Sequence, residues 1–91
     1  MAFVYMLRCN DNTIYTGYTT DPVRRVKQHN MGKGARYTRA RLPAVLVYLE
    51  EVPDAALARR REYAIKKLTR ENKEKLIATY ALCGSNGCSK P

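Results

Sequence analysis

Three side chains in this sequence have the chemistry and the spacing to act on a phosphodiester. Arg25 and His29 stand four residues apart, so a helix would carry both on one face. Glu62 is the single acid within an otherwise basic helical segment, and Mg²⁺ often needs only one protein carboxylate because water and phosphate fill its other positions. An arginine matches the charge that gathers on phosphate oxygens. These residues indicate a one-metal site, although Glu62 alternatively forms a surface ion pair with Arg59 or Lys66.

Tyrosines form a second group of candidates. Tyr5 and Tyr15 lie in two short apolar segments near the N-terminus. A tyrosine beside a metal and an arginine can have its pKa drawn down from about 10 and act on an attacking water. Tyrosines in a small fold are more often core filler, so this assignment has a structural alternative. Gly17 follows Tyr15, and its missing side chain either permits close approach of a ligand or marks a bulge or strand end.

The sequence offers few residues that could form a zinc site or a catalytic nucleophile with its base. The chain has one histidine and three cysteines, two of which lie in a polar C-terminal segment, whereas zinc sites need several such ligands. The G-x-S-x-G motif of serine hydrolases is absent from the sequence. We therefore do not expect either chemistry.

The charge balance predicts a polyanionic partner. The 91 residues include 17 Lys and Arg against 8 Asp and Glu, a net charge of +9. From Pro22 to Leu49 there are seven basic residues and no acidic one. Nucleic acid is the expected partner, with a basic surface that serves only solubility as the alternative. A basic loop containing glycine and arginine is predicted over Lys33–Arg41. Its candidate contacts to the phosphate backbone of a nucleic acid are Lys33, Arg36, Tyr37 and Arg39.

The sequence predicts a cytoplasmic protein. No apolar run approaches the ~20 residues that a membrane span needs. The N-terminus lacks the charged and apolar regions of a secretory signal, so the three cysteines are expected to remain thiols in a reducing compartment.

A hairpin followed by a helix must position the first candidates. The pattern predicts strands over Phe3–Leu7 and Thr13–Tyr18, joined by Asn and Asp residues that favour turns. Both faces of the first strand are apolar, which predicts a central strand covered on both sides. Thr19-Thr20-Asp21-Pro22 then supplies a cap and a first-turn proline for a helix from Pro22 to Asn30.

The second half predicts one strand and two helices. The strand over Ala44–Glu50 is apolar enough to be buried on both faces. Asp54 caps a helix over Ala55–Leu68, and Thr69 caps a helix that ends at about Leu82. The predicted core residues of these helices are Leu57, Ala64, Ile65 and Leu68, then Leu76, Ile77 and Tyr80. The chain is thus predicted to be α+β, a small three-stranded antiparallel sheet flanked by helices in the order β-β-α-β-α-α. Residues 1–82 would form one domain and residues 83–91 a disordered polar tail.

Several motifs in this order and spacing resemble the GIY-YIG nuclease domain. The first motifs are Phe3-Val4-Tyr5, Tyr15-Thr16-Gly17 and Arg25. The segments that resemble its small stand-alone branch are Lys33-Gly34-Ala35-Arg36-Tyr37-Thr38-Arg39 and Arg61-Glu62-Tyr63-Ala64-Ile65-Lys66. The resemblance covers about residues 2–82. The sequence departs from the family motifs at three places. Phe3-Val4 stands where the first motif has Gly-Ile, Thr16 replaces the isoleucine of the second motif, and Tyr18 stands where some family nucleases have a lysine.

The resemblance implies a metal-dependent endonuclease that hydrolyses DNA phosphodiester bonds in DNA repair or recombination, with a single Mg²⁺ or Mn²⁺. By this resemblance Glu62 binds the metal, Arg25 is the catalytic arginine, and Gly17 keeps the floor of the site open. The other catalytic positions that it implies are Tyr5, Tyr15 and His29. Either Tyr5 or His29 would activate the water.

Two alternatives to a nuclease stay open. Most family nucleases use an attached DNA-binding domain, which we do not expect here. A non-catalytic or partner-dependent nucleic-acid-binding module with the same fold is therefore possible, with a protein partner that supplies DNA affinity. A small basic interaction protein without a catalytic role is the remaining hypothesis.

Overall fold

The sheet is built around its first strand. A computed structural model describes residues 1–34 and 36–86, without the side chains of Tyr37 and of residues 81–86. Strand β1 (Ala2–Arg8) pairs antiparallel with β2 (Ile14–Thr19) on one side and with β3 (Val45–Val52) on the other, in the order β2-β1-β3. A tight turn joins β1 to β2, and Asn12 adopts a φ of 68° there, as the Asn- and Asp-rich sequence predicts.

Both faces of β1 are buried, so the predicted central strand is confirmed. The core on one face consists of Ala2, Val4, Met6, Tyr48, Ala58, Ile65 and Ile77. The core on the other face consists of Tyr5, Leu7, Cys9 and Ala44, with Tyr15, Val26, Leu42, Leu46 and Leu49 packed against it. The second of these faces carries the first of the candidate catalytic tyrosines.

Four helices flank the sheet. They are α1 (Pro22–Asn30), the one-turn α2 (Arg36–Arg39), α3 (Ala55–Lys66) and α4 (Arg70–Asn86). Helices α3 and α4 supply core residues to the Val4 face, whereas Val26 of α1 packs on the Tyr5 face. The α+β class and the predicted order of elements are confirmed, and α2 is an additional turn within the segment predicted as a basic loop.

The helix starts follow from capping side chains. Asp21 accepts a hydrogen bond from the backbone N–H of Arg24 and precedes Pro22, so α1 starts where the cap and the proline predict. Asp54 accepts from the N–H of Leu57 in the same way at α3. The N–H of Asn72 donates to Thr69 Oγ1 at the start of α4.

Two predictions about packing are wrong. Strand β3 lies at a sheet edge, so it is only half-buried apart from Tyr48, and Val45 is exposed. Helix α3 faces the sheet through Ala58 and Ile65, whereas Leu57 and Ala64 are exposed. The helix turns its small Ala58 side chain to the strands, whereas the predicted stripe placed the neighbouring Leu57 there.

The C-terminal boundaries also differ from prediction. Helix α3 ends two residues before the predicted Leu68, and α4 continues to Asn86 rather than ending at about Leu82. The predicted tail begins inside this helix over 83–86, and its remainder, 87–91, lies outside the described residues. The division into a domain over 1–82 and a tail stays a prediction.

Candidate active site

The hairpin brings Tyr5 and Tyr15 onto one face of the sheet. Tyr5 is the direct register partner of Gly17, and Leu7 is the partner of Tyr15. A Cβ added at Gly17 would lie 2.7 Å from the Tyr5 hydroxyl oxygen and 3.1 Å from Cε2 of Tyr15. Gly17 therefore leaves the space in which the Tyr5 ring crosses to β2, which favours the close-approach explanation over a bulge.

His29 on α1 joins this pair of tyrosines from the facing helix. Its Nε2 lies 2.9 Å from the Tyr5 hydroxyl, and its Nδ1 lies 2.8 Å from Thr38 Oγ1 of α2. The imidazole ring centroid is 5.3 Å from that of Tyr15 and 5.9 Å from that of Tyr5. His29 and Thr38 are both fully buried, so the two imidazole nitrogens obtain their hydrogen bonds from protein groups rather than from solvent.

The segment after α1 closes over the His29 ring. A Cβ added at Gly34 would overlap the Nδ1, Cγ and Cε1 atoms of His29, so backbone and imidazole are in direct contact. Asn30 fixes the same end of α1, because its side-chain amide exchanges two hydrogen bonds with the backbone of Ala44. The segment after α1 thus packs against the ring, and the end of the helix itself is anchored to the residue before β3.

Burial sets the protonation states of the two central groups. It raises the pKa of Tyr5 from 10.0 to about 12, while a hydrogen bond from the Arg25 guanidinium acts in the opposite direction and the nearby charges of Tyr15 and Glu62 raise the pKa further. Burial lowers the pKa of His29 below 6.5, and the positive charge of Arg25 lowers it further. At neutral pH the site therefore holds a protonated phenol and a neutral imidazole.

Arg25 and Glu62 approach Tyr5 from different helices. Arg25 lies on α1 one turn before His29, is half-buried, and donates through Nη1 to Gln28 Oε1 at 3.3 Å. Glu62 lies on α3 with a side chain that is 16% exposed, and its charge acts on the Tyr5 hydroxyl. Its Oε2 is 2.9 Å from Lys66 Nζ, so the ion pair considered as an alternative is present.

The family is decided by the comparison of the whole sequence with known families. The model of the GIY-YIG catalytic domain matches residues 1–75, which include every candidate residue of the site. The chain belongs to the GIY-YIG family.

Relatives of this GIY-YIG chain share about half of its residues. A UPF0213 protein of Staphylococcus haemolyticus is 51% identical over 75 residues, which are 82% of this chain and 92% of the relative. A UPF0213 protein of Halobacterium salinarum is 53% identical over 77 residues, 85% of this chain and 100% of the relative.

Solved structures show the same fold. The solution NMR structure of a UPF0213 protein from Bacillus halodurans matches with a TM-score of 0.56 and 49% identity, over 87% of this chain and 85% of that one. The solution NMR structure of a protein from E. faecalis matches with a TM-score of 0.58 and 41% identity, over 88% and 85%. Membership in the family places this chain in a nuclease-type class of domains that generally use a divalent metal and bind nucleic acid.

The donor set of this GIY-YIG site fits a weakly held hard cation. Among the described residues there is no group of three or more His, Cys, Asp and Glu that would hold a metal by itself. Glu62 offers one shielded carboxylate, which suits Mg²⁺ because that ion keeps several waters and binds substrate phosphates. A closed zinc-type cage does not fit these residues.

The residues predicted to contact the phosphate backbone of a nucleic acid lie apart from the buried residues of the site. Lys33, Arg36 and Arg39 are exposed around α2, at the outer side of the segment whose Thr38 contacts His29. The side chain of Tyr37 lies outside the described residues. None of the helices in residues 1–34 and 36–86 combines the length and the apolar character of a membrane span.

Two residues of the site were missed by sequence reasoning. Thr38 and Gly34 lie in the segment that carries the family resemblance, but their residue types suggested only a loop. A glycine after a helix favours the positive φ of a C-terminal cap, but it is Gly32, with a φ of 78°, that adopts this conformation. The sequence feature that could have identified them is their spacing. Gly34 and Thr38 lie five and nine residues after His29, so a short segment after the helix can fold back onto the histidine.

Proposed function

We propose that this chain is a metal-dependent endonuclease that hydrolyses DNA phosphodiester bonds. The observation that carries the proposal is the convergence of three elements on the Tyr5 hydroxyl. The β1–β2 hairpin supplies Tyr5 and Tyr15, α1 supplies Arg25 and His29, and α3 supplies the charge of Glu62.

Glu62 would hold a single divalent ion, Mg²⁺ or Mn²⁺. The ion would supply Lewis-acid stabilisation of charge on the phosphate oxygens. The carboxylate is shielded from solvent, which strengthens its interaction with a cation. Its second role in the free protein is to pair with Lys66.

The chain's own residues provide a path for the proton of the attacking water. With a pKa of about 12, Tyr5 is a poor base by itself, whereas neutral His29 has a free lone pair on Nε2 when Nδ1 carries the proton. The Tyr5 oxygen accepts the proton of the water as its own hydroxyl proton passes to His29 Nε2 over 2.9 Å. Tyr5 thus contacts the water, and His29 is the final acceptor.

Arg25 and Tyr15 complete the immediate surroundings of the phosphate. The Arg25 guanidinium lies beside the Tyr5 hydroxyl and matches the charge that accumulates on the phosphate oxygens. The Tyr15 ring lies tilted against the His29 ring, with 5.3 Å between the ring centroids, and borders the Tyr5 ring over Gly17, so we expect it to line the site of the scissile phosphate. The outer backbone contacts would be Lys33, Arg36, Tyr37 and Arg39.

We expect the activity to act in the cytoplasm, on DNA undergoing repair or recombination, because strand cleavage is a step of both processes. A second function is supported by one observation. Lys66 already neutralises the carboxylate of Glu62, which favours a nucleic-acid-binding module that becomes active only with a protein partner. The two functions differ in whether the isolated chain cleaves DNA.

Cleavage of labelled duplex, flap, junction and single-stranded DNA tests the proposal. We expect cutting with Mg²⁺ or Mn²⁺, none with EDTA, and a loss of at least about 100-fold in Glu62→Gln, because a lost metal removes several kcal/mol of transition-state stabilisation. Glu71→Gln is the matched control, since Glu71 is an exposed acid of α4. A wild-type chain that binds every DNA but cuts none with either ion would contradict the nuclease and leave the partner-dependent module.

A further inference from the structure

The solvent-facing side of α3 carries a basic and aromatic surface that adjoins the candidate metal ligand. Its members, which we call the α3 basic face, are Arg59, Arg60, Tyr63, Lys66 and Lys67. All five are exposed, and the tyrosine has an exposed fraction of 63%. Glu62 is the only acid between the cap of this helix and the start of α4.

The charges of this face are available to a ligand. Among the described residues, neither Arg59 nor Arg60 has an ion-pair partner. Arg61 points elsewhere, because its Nε binds Glu50 at 2.9 Å. Lys67 Nζ lies 4.4 Å above the Tyr63 ring, so the ring holds this ammonium at the surface by a cation–π contact. The guanidinium groups are therefore not consumed by internal contacts.

The face forms an open groove that leads to Glu62. The groove has a volume of about 490 Å³. Its lining residues are Ala56, Arg59, Arg60, Glu62, Tyr63 and Lys66. Arg59, Glu62 and Lys66 follow at intervals of three and four residues, which places them in one row along the helix. A polyanion lying in this row would pass directly beside the metal-binding carboxylate.

We propose that the α3 basic face binds the phosphate backbone of the nucleic acid on the Glu62 side of the scissile bond. This rests on the proposed function, because the scissile phosphate lies between Arg25 and Glu62. The basic residues of α1 and α2 contact the backbone on the other side of that phosphate, so the strand is held on both sides of the bond that breaks. Arginines suit this task because their planar groups bind phosphate oxygens bidentately.

Lys66 takes part in both the free and the bound state. In the free protein its ammonium occupies the Glu62 carboxylate at 2.9 Å. With a divalent ion held by that carboxylate, Lys66 would lose its partner through charge repulsion, and the half-exposed lysine would be free to turn to the phosphate that follows in the groove. Metal loading therefore adds a cation to the α3 basic face, and DNA affinity increases with it.

The first test measures binding without cleavage. Fluorescein-labelled duplex and single-stranded DNA are titrated with protein in EDTA at several salt concentrations. We expect Arg59→Gln/Arg60→Gln to bind more weakly and to lower the slope of log Kd against log salt by about 2, one for each lost phosphate contact. With Mg²⁺, this variant should show a higher KM and an unchanged kcat, because the reacting groups are untouched.

Lys73→Gln/Lys75→Gln is the matched control, with the same loss of charge. Both lysines lie on α4, which packs on β3 at the opposite sheet edge from β2. Circular dichroism and thermal unfolding of both variants establish that they fold. If the α3 variant keeps the wild-type Kd and slope, or if both double variants weaken binding equally, the proposed surface is wrong. Because this measurement needs no cleavage, an inactive wild-type chain would contradict the nuclease alone.

The second test isolates the exchange of Lys66. Mn²⁺ binding in the absence of DNA is followed by electron paramagnetic resonance. We expect Lys66→Met to bind Mn²⁺ more tightly than wild type, because the competing ammonium is gone, while Glu62→Gln binds little. We also expect Lys66→Met to lose the increase in DNA affinity that Ca²⁺ gives to wild type. Unchanged Mn²⁺ affinity in Lys66→Met would overturn the exchange.

Discussion

At the scale of the residue, His29 connects the hairpin to the segment after α1, because its two ring nitrogens bind different elements. Arg25 can only donate, so the Tyr5 oxygen accepts from it and directs its own proton to His29 Nε2. The neutral imidazole then carries its proton on Nδ1 and donates to Thr38 Oγ1. Thr38 is thus a positioning residue that accepts the Nδ1 proton in the tautomer in which Nε2 can accept a proton.

Replacement of Thr38 by valine should leave the fold intact and impair this relay. Thr38→Val keeps the shape but leaves Nδ1 without this partner, so we expect a stability loss of about 1–2 kcal/mol. We expect kcat to fall by about 10- to 100-fold. Imidazole nitrogen NMR shifts should show that His29 no longer favours the Nδ1–H form.

Thr38→Ser is the rescue variant, because it retains the hydroxyl at the same position. It should restore the tautomer and most of kcat even if it costs some packing. A Thr38→Val protein with wild-type kcat and wild-type imidazole shifts would show that the threonine serves only to fill space.

The residue types predicted the candidate functional groups better than they predicted the residues that hold those groups in place. Tyr5, Tyr15, Arg25, His29 and Glu62 carry side chains whose chemistry limits what they can do, and the structure brings these five to one region. Thr38 has a role only through its contact with His29, nine residues earlier, and the chemistry of threonine does not indicate this contact. Their roles in catalysis stay predictions until activity is measured.

At the scale of the element, the pairing of β1 with β2 sets the position of Tyr5. The register places Gly17 under the Tyr5 ring, and any Cβ there would meet the hydroxyl at 2.7 Å. The ring is almost fully buried and has no room to yield. A one-residue shift of register would remove Tyr5 from His29 altogether.

Gly17→Ala should therefore separate Tyr5 from its hydrogen-bond partner. We expect a stability loss of about 1–3 kcal/mol from overpacking and a loss of Mg²⁺-dependent cleavage. Gly32→Ala is the control, since Gly32 has a φ of 78° and open space around it. That variant should lose about 1–2 kcal/mol from backbone strain and keep its activity. Equal activity of the two variants, measured well below both Tm values, would refute the role of the gap.

Boundaries and burial of the elements were predictable where local chemistry determines them. The N-terminus of α1 follows from a capping aspartate and a proline, and the antiparallel pairing of the first two strands follows from a short turn. The burial of β3 and of α3 was not predictable, because it depends on which strand lies at the edge and on which helix face meets it. Leu57 illustrates this: its residue type suits a core, but its position on α3 faces solvent.

At the scale of the whole molecule, positive charge greatly exceeds negative charge. The net charge of +9 increases the rate of encounter with a polyanion. The excess charge also destabilises the compact state through repulsion. Three of the acids, Asp11, Glu50 and Glu74, form ion pairs with arginines of other elements or loops.

Glu74 is the clearest such acid. It binds Arg8 of β1 through two hydrogen bonds of 2.8 and 3.0 Å and Arg70 through one of 2.9 Å, while Arg70 also donates to the carbonyl of Asn12. The network ties the hairpin turn to α4. The Arg8 guanidinium, followed by Arg70, lowers the pKa of Glu74 from 4.5 to about 2.

This depressed pKa predicts a stability that declines in acid. The folded state binds the proton of Glu74 more weakly than the unfolded state, so its contribution is complete above about pH 5 and is lost as the pH falls toward 2. Glu74→Gln should therefore lower the free energy of unfolding at neutral pH by about 1 kcal/mol, and Tm falls with it. The loss is modest because the carboxylate is partly exposed. Between about pH 5 and 2 its Tm should fall less steeply than that of wild type.

Glu71→Gln serves as the control, since Glu71 is 80% exposed and lies 4.0 Å from its lysine partner. It should leave the slope of Tm against pH as in wild type. If Glu74→Gln keeps the wild-type slope, other carboxylates determine the acid transition. Asp11 is then the first to be tested, because hydrogen bonds from Thr13 also lower its pKa. A flattened slope in Glu74→Gln alone would identify the Arg8–Glu74–Arg70 network as the contact that keeps the hairpin turn docked on α4.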